Sequence, residues 1–503
     1  MGDEDRSDPA SPTDVAGLSA LVVELRALIA TLQVVVMDLR TTLARKDEEI
    51  AELKRALLGP KSERRRRPSS PPKRPPLSDE EKARRRAAAQ AKRDEKRQER
   101  NKQLEVRPVE HDAPGVCPSC QGEGPFVELP ADISDEIEYV TERLIRLRHR
   151  MEKKKCTCGT IFSAPTPVRV TEGGLYGPRL YANAVTGKCA DALPLHRISK
   201  RFARAGMNIA RSTLTDLFHR AASLLTPLYL RLLVLVAASD YVNADETSQP
   251  VMDEDHCRRG FVWTFIAGGI IAYVFSKDRG GETPQRILGD TAGYLQVDGH
   301  TGYNQVCVPE CRDRVGCIAH ARRYFHKARD QCPDECEEAF EFIRQLYDVE
   351  VQAAEAEIIG TDAHLILRRE RSKPVTDDFH AWLQDQEGKH DPKGPMGKAI
   401  GYCLRQWPRL IKFLDDPKLR LDNNISEAAL RIIALGRDNF RWVGHDEAGD
   451  NLAILQTIVA TCIANGVNPE DYIADVLIRI GTHPASDIDA LLPMNWRDTV
   501  DIA

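Results

Sequence analysis

Apolar residues recur every seven positions from Leu18 to Leu57. One seam reads Val22, Ile29, Val36, Leu43, Ile50, Leu57; the other reads Leu18, Leu25, Leu32, Leu39, Lys46, Leu53. Six heptads with one polar exception predict a coiled coil. β-Branched residues dominate the first half of one seam and Leu fills the other, which favours a parallel dimer. A single amphipathic helix laid on the chain's own body is the alternative. Gly59-Pro60 ends the pattern.

Further along, the period changes. Pro178 to Leu233 reads as helical, with Ile198–Ala205, Gly206, then Ile209–Ala222 as two helices joined by a short turn. Ser212 and Thr213 are the expected N-caps of the second. This is a helix-turn-helix outline with Arg211, Thr215 and Arg220 as outward contacts, although any small helical hairpin has the same outline. Beyond it, Tyr241-Val-Asn-Ala-Asp245 reads as a short strand ending in an acid. Gly260–Ala267 and Ile270–Ser276 read as a hairpin turning at Gly268-Gly269, and Thr283–Leu288 as a short helix. Tyr294-Leu-Gln-Val-Asp298 is a strand ending in a second acid, and Val315–Ile318 a strand leading into a helix, Ala319–Ala328. That order matches a ribonuclease-H-like mixed sheet flanked by helices.

Charge refines this picture. The formal net charge is −5, which taken alone does not suggest a polyanion binder. Lys61 to Lys102, however, holds 17 Lys and Arg against 7 Asp and Glu, a local +10, so the rest of the chain carries −15. Arg64, Arg65, Arg66 and Arg67 open this segment, and Pro71-Pro72 and Pro75-Pro76 interrupt it. A basic segment on an acidic body implies an anionic partner, and phosphates neutralised there would release counterions; a merely solvated linker is the alternative. The 13 cysteines are an odd number, the start is acidic rather than signal-like, and the apolar run Phe261–Phe275 is too short to span a bilayer. A cytoplasmic chain with reduced thiols is the expectation.

Some of those thiols have ligand spacing. Cys117-Pro-Ser-Cys120 and Cys156-Thr-Cys158 make a knuckle and a tighter second half, in a segment too small to build its own core; structural Zn²⁺ is expected there. Cys317 and His320 form a Cys-x2-His pair for which both metal binding and core packing stay open. A second zinc site from Cys307/Cys311 and Cys332/Cys336 is a weaker reading.

Two acids on adjacent strand ends point to more than turn chemistry. In this topology the strands of Asp245 and Asp298 lie side by side. Leu421-Asp422-Asn423-Asn424-Ile425-Ser426-Glu427 then opens a helix, with Asn424 or Ser426 as cap and Glu427 facing the sheet if Leu430 packs inward. Three crowded carboxylates raise one another's pKa values until cations neutralise them. Hard oxygen ligands suit Mg²⁺ or Mn²⁺, and two such ions per site serve phosphoryl transfer. The 129 residues between Asp298 and Glu427 require a helical insertion.

These residues resemble the Insertion Sequence 66 family of bacterial transposases. The resemblance is carried by Ala244-Asp245-Glu246-Thr247, Gly280-Gly281-Glu282 and Gly293-Tyr294-Leu295-Gln296-Val297-Asp298-Gly299. It continues in Gly316-Cys317-Ile318-Ala319-His320-Ala321-Arg322-Arg323, in Asp422-Asn423-Asn424 with Glu427, and in Leu491-Leu492-Pro493-Met494-Asn495-Trp496. It implies a DDE transposase in which Asp245, Asp298 and Glu427 bind the metals, hydrolysing phosphodiesters at element ends and joining the freed 3′-hydroxyl to target DNA. The chain departs from the family pattern at the tighter Cys156/Cys158 spacing and at Ala428, where a basic residue is usual. Arg322, Arg323 and Arg431 are the expected backbone contacts near the acids. A catalytically silent DNA-binding regulator and a structure-specific nuclease are the rival readings.

The expected architecture is a multidomain α+β chain. Residues 1–58 form a dimerising coiled coil, 59–105 a basic Pro-rich linker and charged helix, and 106–165 a zinc-binding segment. A helix-turn-helix-like DNA-binding region spans 166–238. The ribonuclease-H-like catalytic domain comprises 239–319 and 420–465, interrupted by a helical insertion at 320–419, and 466–503 is a C-terminal module. DNA, a second copy of the chain and accessory transposition proteins are the expected partners, in a nucleoid-associated cytoplasmic setting.

Overall fold

A computed structural model describes residues 168–253 and 256–496, with Leu144, Leu147 and a short ladder before them. The Leu18–Leu57 heptads, Arg64–Arg67, and Cys117, Cys120, Cys156 and Cys158 lie outside the described residues. The ladder is β1 (Lys153–Lys155) paired antiparallel with β2 (Ile161–Ser163).

Three helices follow: α1 (Pro178–Cys189), α2 (Leu195–Arg204) and α3 (Arg211–Ala237). Gly206, at φ +99, makes the turn between α2 and α3, a conformation that a Cβ would strain. The second helix runs far beyond Ala222. Its N-cap is Ala210, with no side-chain cap, so Ser212 and Thr213 do not serve as caps. The length follows from an apolar stripe at helical spacing, Leu214, Leu217, Phe218, Ala221, Leu225, Leu228, Leu232 and Val236, all buried. By length and composition α3 is apolar enough to cross a membrane. It nevertheless carries Arg231, clamped by Asp489 through bonds of 2.6 and 2.7 Å, and its stripe packs into the protein core.

The sheet has five strands: β3 (Tyr241–Asp253), β4 (His256–Ala267), β5 (Ile270–Ser276), β6 (Gly293–Gln296) and β7 (Arg312–Val315), in the order β5-β4-β3-β6-β7. β3, β4 and β5 are antiparallel neighbours, whereas β3, β6 and β7 run parallel. The β4–β5 hairpin turns at Gly268 (φ +53) and Gly269 (φ +85), as the Gly-Gly pair predicts. β3 is longer than its apolar pattern suggests and places Asp245 within the strand, not at its end. Pro250 is tolerated because β6 ladders only Tyr241–Asn243; farther on, Val443 takes that side, its N–H donating to the Pro250 carbonyl at 3.0 Å.

The remaining helices divide between two cores. α4 (Glu282–Leu288) follows β5; α10 (Asn424–Phe440), α11 (Asp446–Ala464) and α12 (Pro469–Arg479) come late in the chain. These late helices, with α1–α3 and the sheet, enclose one apolar cluster that includes Trp263, Phe265 and Leu455. The second cluster comprises α5 (Ile318–Ala328), α6 (Pro333–Glu355), α8 (Lys373–Gln386) and α9 (Pro395–Leu410), joined by α7 (Asp362–Leu367) and a π-helical stretch at Arg368–Ser372. Phe325, Phe379 and Leu383 are its centre, each worth about 1.5–3 kcal/mol of burial. This cluster reaches the sheet through Val315 of β7. The described body is therefore a mixed α+β structure with a helical layer seated between β7 and α10.

Candidate active site

The parallel ladder of β3 and β6 leads to two acids. Tyr241 faces Tyr294 and Asn243 faces Gln296, where the ladder ends two residues before Asp245 and Asp298; Asp298 is among the charges that act on Asp245. Asp298 lies just past β6, where its Oδ1 accepts from the His300 N–H at 2.9 Å. Buried Arg314 holds that turn, its Nη2 donating to the carbonyls of Asp298 and His300, each at 2.6 Å.

Glu427 comes from the first turn of α10. At its N-cap, Asn423, no side chain caps the helix; Asp422 Oδ1 accepts from the Asn424 N–H at 3.0 Å. Neither Asn424 nor Ser426 caps the helix: Ser426 is buried and its Oγ donates to Asn423 Oδ1 at 2.9 Å. Leu430 is buried, and the partners of Glu427 are Arg323 and His320 of α5.

Electrostatics tie the three acids together. The Asp245 carboxyl is pushed up to about 7, first by burial, then by Glu246, and further by Asp298 and Glu427. Two carboxylates 53 and 182 residues away in sequence thus act on one buried group. Among the described residues no three His, Cys, Asp or Glu side chains stand close enough to cage an ion. Glu427 instead meets Arg323, whose Nη2 donates to its Oε1 at 2.6 Å. The chemistry of the donor set suits a hard divalent cation: carboxylate oxygens whose mutual repulsion raises one of them.

Neighbouring residues complete the edge. Glu246 is buried on the opposite face of β3; it accepts from Arg279 Nε at 2.7 Å and from the Tyr303 hydroxyl at 2.6 Å. Tyr303 is fully buried, and burial beside Glu246 pushes its hydroxyl pKa far up. None of Glu246, Arg279, Tyr303 and Arg314 stands out in the sequence as a site residue. An acid directly after Asp245, on the strand face that begins with buried Val242 and Ala244, was the available signal.

The other sequence candidates separate. Arg323 also donates to His320 Nε2 at 3.1 Å; His320 Nδ1 is buried, 3.9 Å from Glu427, and lacks a hydrogen-bond partner. Burial and Arg323 lower the His320 pKa. Cys317 is buried under the Asn423 N–H, 3.3 Å from its sulfur, and burial pushes its thiol up to about 12. Arg322 lies over the Phe340 ring at 5.5 Å. Arg431 is exposed one turn beyond Glu427, and Arg211 is exposed at the start of α3. Cys336 is buried, donating to the Phe325 carbonyl at 3.2 Å, so Cys332/Cys336 and Cys307/Cys311 do not assemble as a metal cluster.

The described body is a mixed α+β protein, and sequence comparison supplies the family. Residues 173–451 match the model described as "Transposase IS66 family", and residues 457–494 match the "IS66 C-terminal element". The chain belongs to the IS66 family of transposases. It is 31% identical over 420 residues to uncharacterized protein y4hP of Sinorhizobium fredii (strain NBRC 101917 / NGR234), covering 78% of this chain and 76% of the relative. A second uncharacterized protein of that organism, y4jD, is 31% identical over 404 residues, 76% of this chain and 78% of the relative.

Proposed function

We propose that the chain is a DNA transposase of the DDE type, built on a ribonuclease-H-like sheet, which cuts element ends and joins them to target DNA. The observation that supports this reading is that Asp298 and Glu427, far apart in sequence, both act on the buried Asp245 carboxyl. Asp245, Asp298 and Glu427 would hold two Mg²⁺ or Mn²⁺ ions, which supply activation of the attacking oxygen and stabilisation of the leaving one.

The chain's own residues prepare that chemistry. Burial keeps the Asp245 carboxyl partly protonated near neutral pH, so loading the site releases a proton there. Arg314 and the His300 N–H orient Asp298. Arg323 and exposed Arg431 flank Glu427 and would take backbone phosphates, while Arg211 lies on α3. Phosphoryl transfer needs no covalent protein–DNA intermediate, so the acids suffice without a Ser or Tyr nucleophile. Dimerisation through Leu18–Leu57, zinc at Cys117, Cys120, Cys156 and Cys158, phosphate neutralisation by Arg64–Arg67, and a cytoplasmic, nucleoid-associated setting belong to the same proposal.

Product analysis tests it. Wild-type protein with end-sequence DNA and Mn²⁺ is expected to yield cut ends joined to a second DNA. Cut ends that are never joined would make the chain a nuclease, and sequence-specific binding without cutting would make it a silent regulator.

A further inference from the structure

The segments that carry the three acids also hold a buried triad that is not acidic. Asn243, Gln296 and Asn423 are 4%, 0% and 0% exposed. Asn243 Nδ2 donates to Gln296 Oε1 at 3.2 Å and to Asn423 Oδ1 at 3.1 Å. Gln296 Nε2 donates to the carbonyls of Gly316 (3.0 Å) and Arg420 (2.7 Å), and Asn423 Nδ2 donates to the Ala244 carbonyl at 2.7 Å. The carbonyl partners fix which end of the Gln296 and Asn423 amides is nitrogen, so the donor and acceptor pattern has one solution.

The placement follows the acids. Asn243 is two residues before Asp245 on the same strand face, Gln296 two residues before Asp298, and Asn423 one helical turn before Glu427. Each acid-bearing segment thus contributes one buried amide to a single network. Apolar side chains could join a sheet to a helix, but they would not fix the sliding position of one against the other. Directional hydrogen bonds in a buried, satisfied network do.

We propose that Asn243, Gln296 and Asn423 are positioning residues which set the mutual spacing of Asp245, Asp298 and Glu427 for divalent-cation binding. This rests on the three acids being the metal ligands. Loss of one amide lets β6 or the start of α10 shift relative to β3, and the cation then meets fewer oxygens at once.

The test is Mn²⁺ titration of the folded full-length chain by calorimetry, well below its thermal midpoint. Gln296→Met is expected to weaken Mn²⁺ binding about tenfold, the scale of lost outer-shell support. Ser426→Ala removes only the bond to Asn423 Oδ1 and is expected to weaken it about two- to fivefold. Gln456→Met is the control: Gln456 is a buried amide on α11 that donates to the Cys189 carbonyl at 3.1 Å, and its loss is expected to lower the thermal midpoint without changing Mn²⁺ affinity. If Gln296→Met does not fold, Ser426→Ala decides by the same criterion. Should Asp298→Asn lose Mn²⁺ while both network variants bind like wild type, the positioning role is overturned and the acid assignment stands. Equal Mn²⁺ binding by wild type and Asp298→Asn overturns both.

Discussion

Arg323 Nη2 lies 2.6 Å from Glu427 Oε1, so without a metal ion the third acid is neutralised by the chain's own cation. Both side chains are partly exposed, at 41% and 27%, which limits the pair to about 0–1 kcal/mol. A divalent ion on Glu427 would compete with this guanidinium for the carboxylate's charge. Arg323→Gln is therefore expected to tighten Mn²⁺ binding to DNA-free protein by up to about fivefold, the equivalent of about 1 kcal/mol. Calorimetric titration of the variant checks this, and weaker binding would mean that Arg323 supports the ligand geometry instead of competing with the ion.

The raised Asp245 carboxyl makes stability depend on pH. Its folded pKa of about 7 exceeds the unfolded value, so the folded state favours the protonated form. The stability associated with this group is full below about pH 4 and is lost as pH rises through about 7. Asp245→Asn is expected to stabilise the metal-free protein by roughly 1–3 kcal/mol at pH 8 and to do little at pH 4. Denaturant melts at the two pH values measure the difference; a variant equally or less stable at pH 8 would contradict it.

Glu246 is the second-largest cause of that shift and is also a structural anion. Removing its charge leaves Arg279 and buried Tyr303 with a poorer partner. Glu246→Gln is expected to cost about 1–3 kcal/mol of stability while lowering the Asp245 pKa. The two effects separate in a pH series of thermal midpoints: the whole curve falls, and its acidic shoulder moves to lower pH.

Gly293 opens β6 at φ +119, and a Cβ there would run into the Asp240 carbonyl. Gly293→Ala is expected to destabilise the protein by more than about 2 kcal/mol and to disturb the β3–β6 register that leads to Asp245 and Asp298. Circular dichroism melts give the first effect and Mn²⁺ titration the second. A variant with wild-type melting and binding would show that the register does not depend on this turn.

The sequence made parts of the site legible and hid others for physical reasons. The strand order and the Gly268-Gly269 turn were readable because alternation and turn chemistry are local signals. They sufficed to put Asp245 and Asp298 on neighbouring parallel segments. The length of β3 was not readable, since Thr247-Ser-Gln-Pro250 does not alternate; its continuous pairing with β4 and a bridge to Val443, nearly 200 residues away, carry the strand to Asp253. The N-cap of α10 is Asn423, one residue before Asn424 and three before Ser426; Asn423, Asn424 and Ser426 are all competent caps, and only tertiary packing buries Ser426. Asn243, Gln296 and Asn423 look like ordinary loop or strand polars; that they share one buried network depends on contacts across 53 and 180 positions. Arg323, read as a DNA contact, has Glu427 as a partner in the DNA-free chain.

The central claim is that Asp245, Asp298 and Glu427 together support metal-dependent cutting and joining of DNA. The most direct measurement is strand transfer of labelled end-sequence DNA into a plasmid with Mg²⁺ or Mn²⁺, comparing wild type with Asp245→Asn, Asp298→Asn and Glu427→Gln, each checked for folding and DNA binding. Joined product from the wild type that falls at least about a hundredfold in every variant, with DNA binding retained, is the expected result. Undiminished joining by any one of the three folded variants would contradict the account.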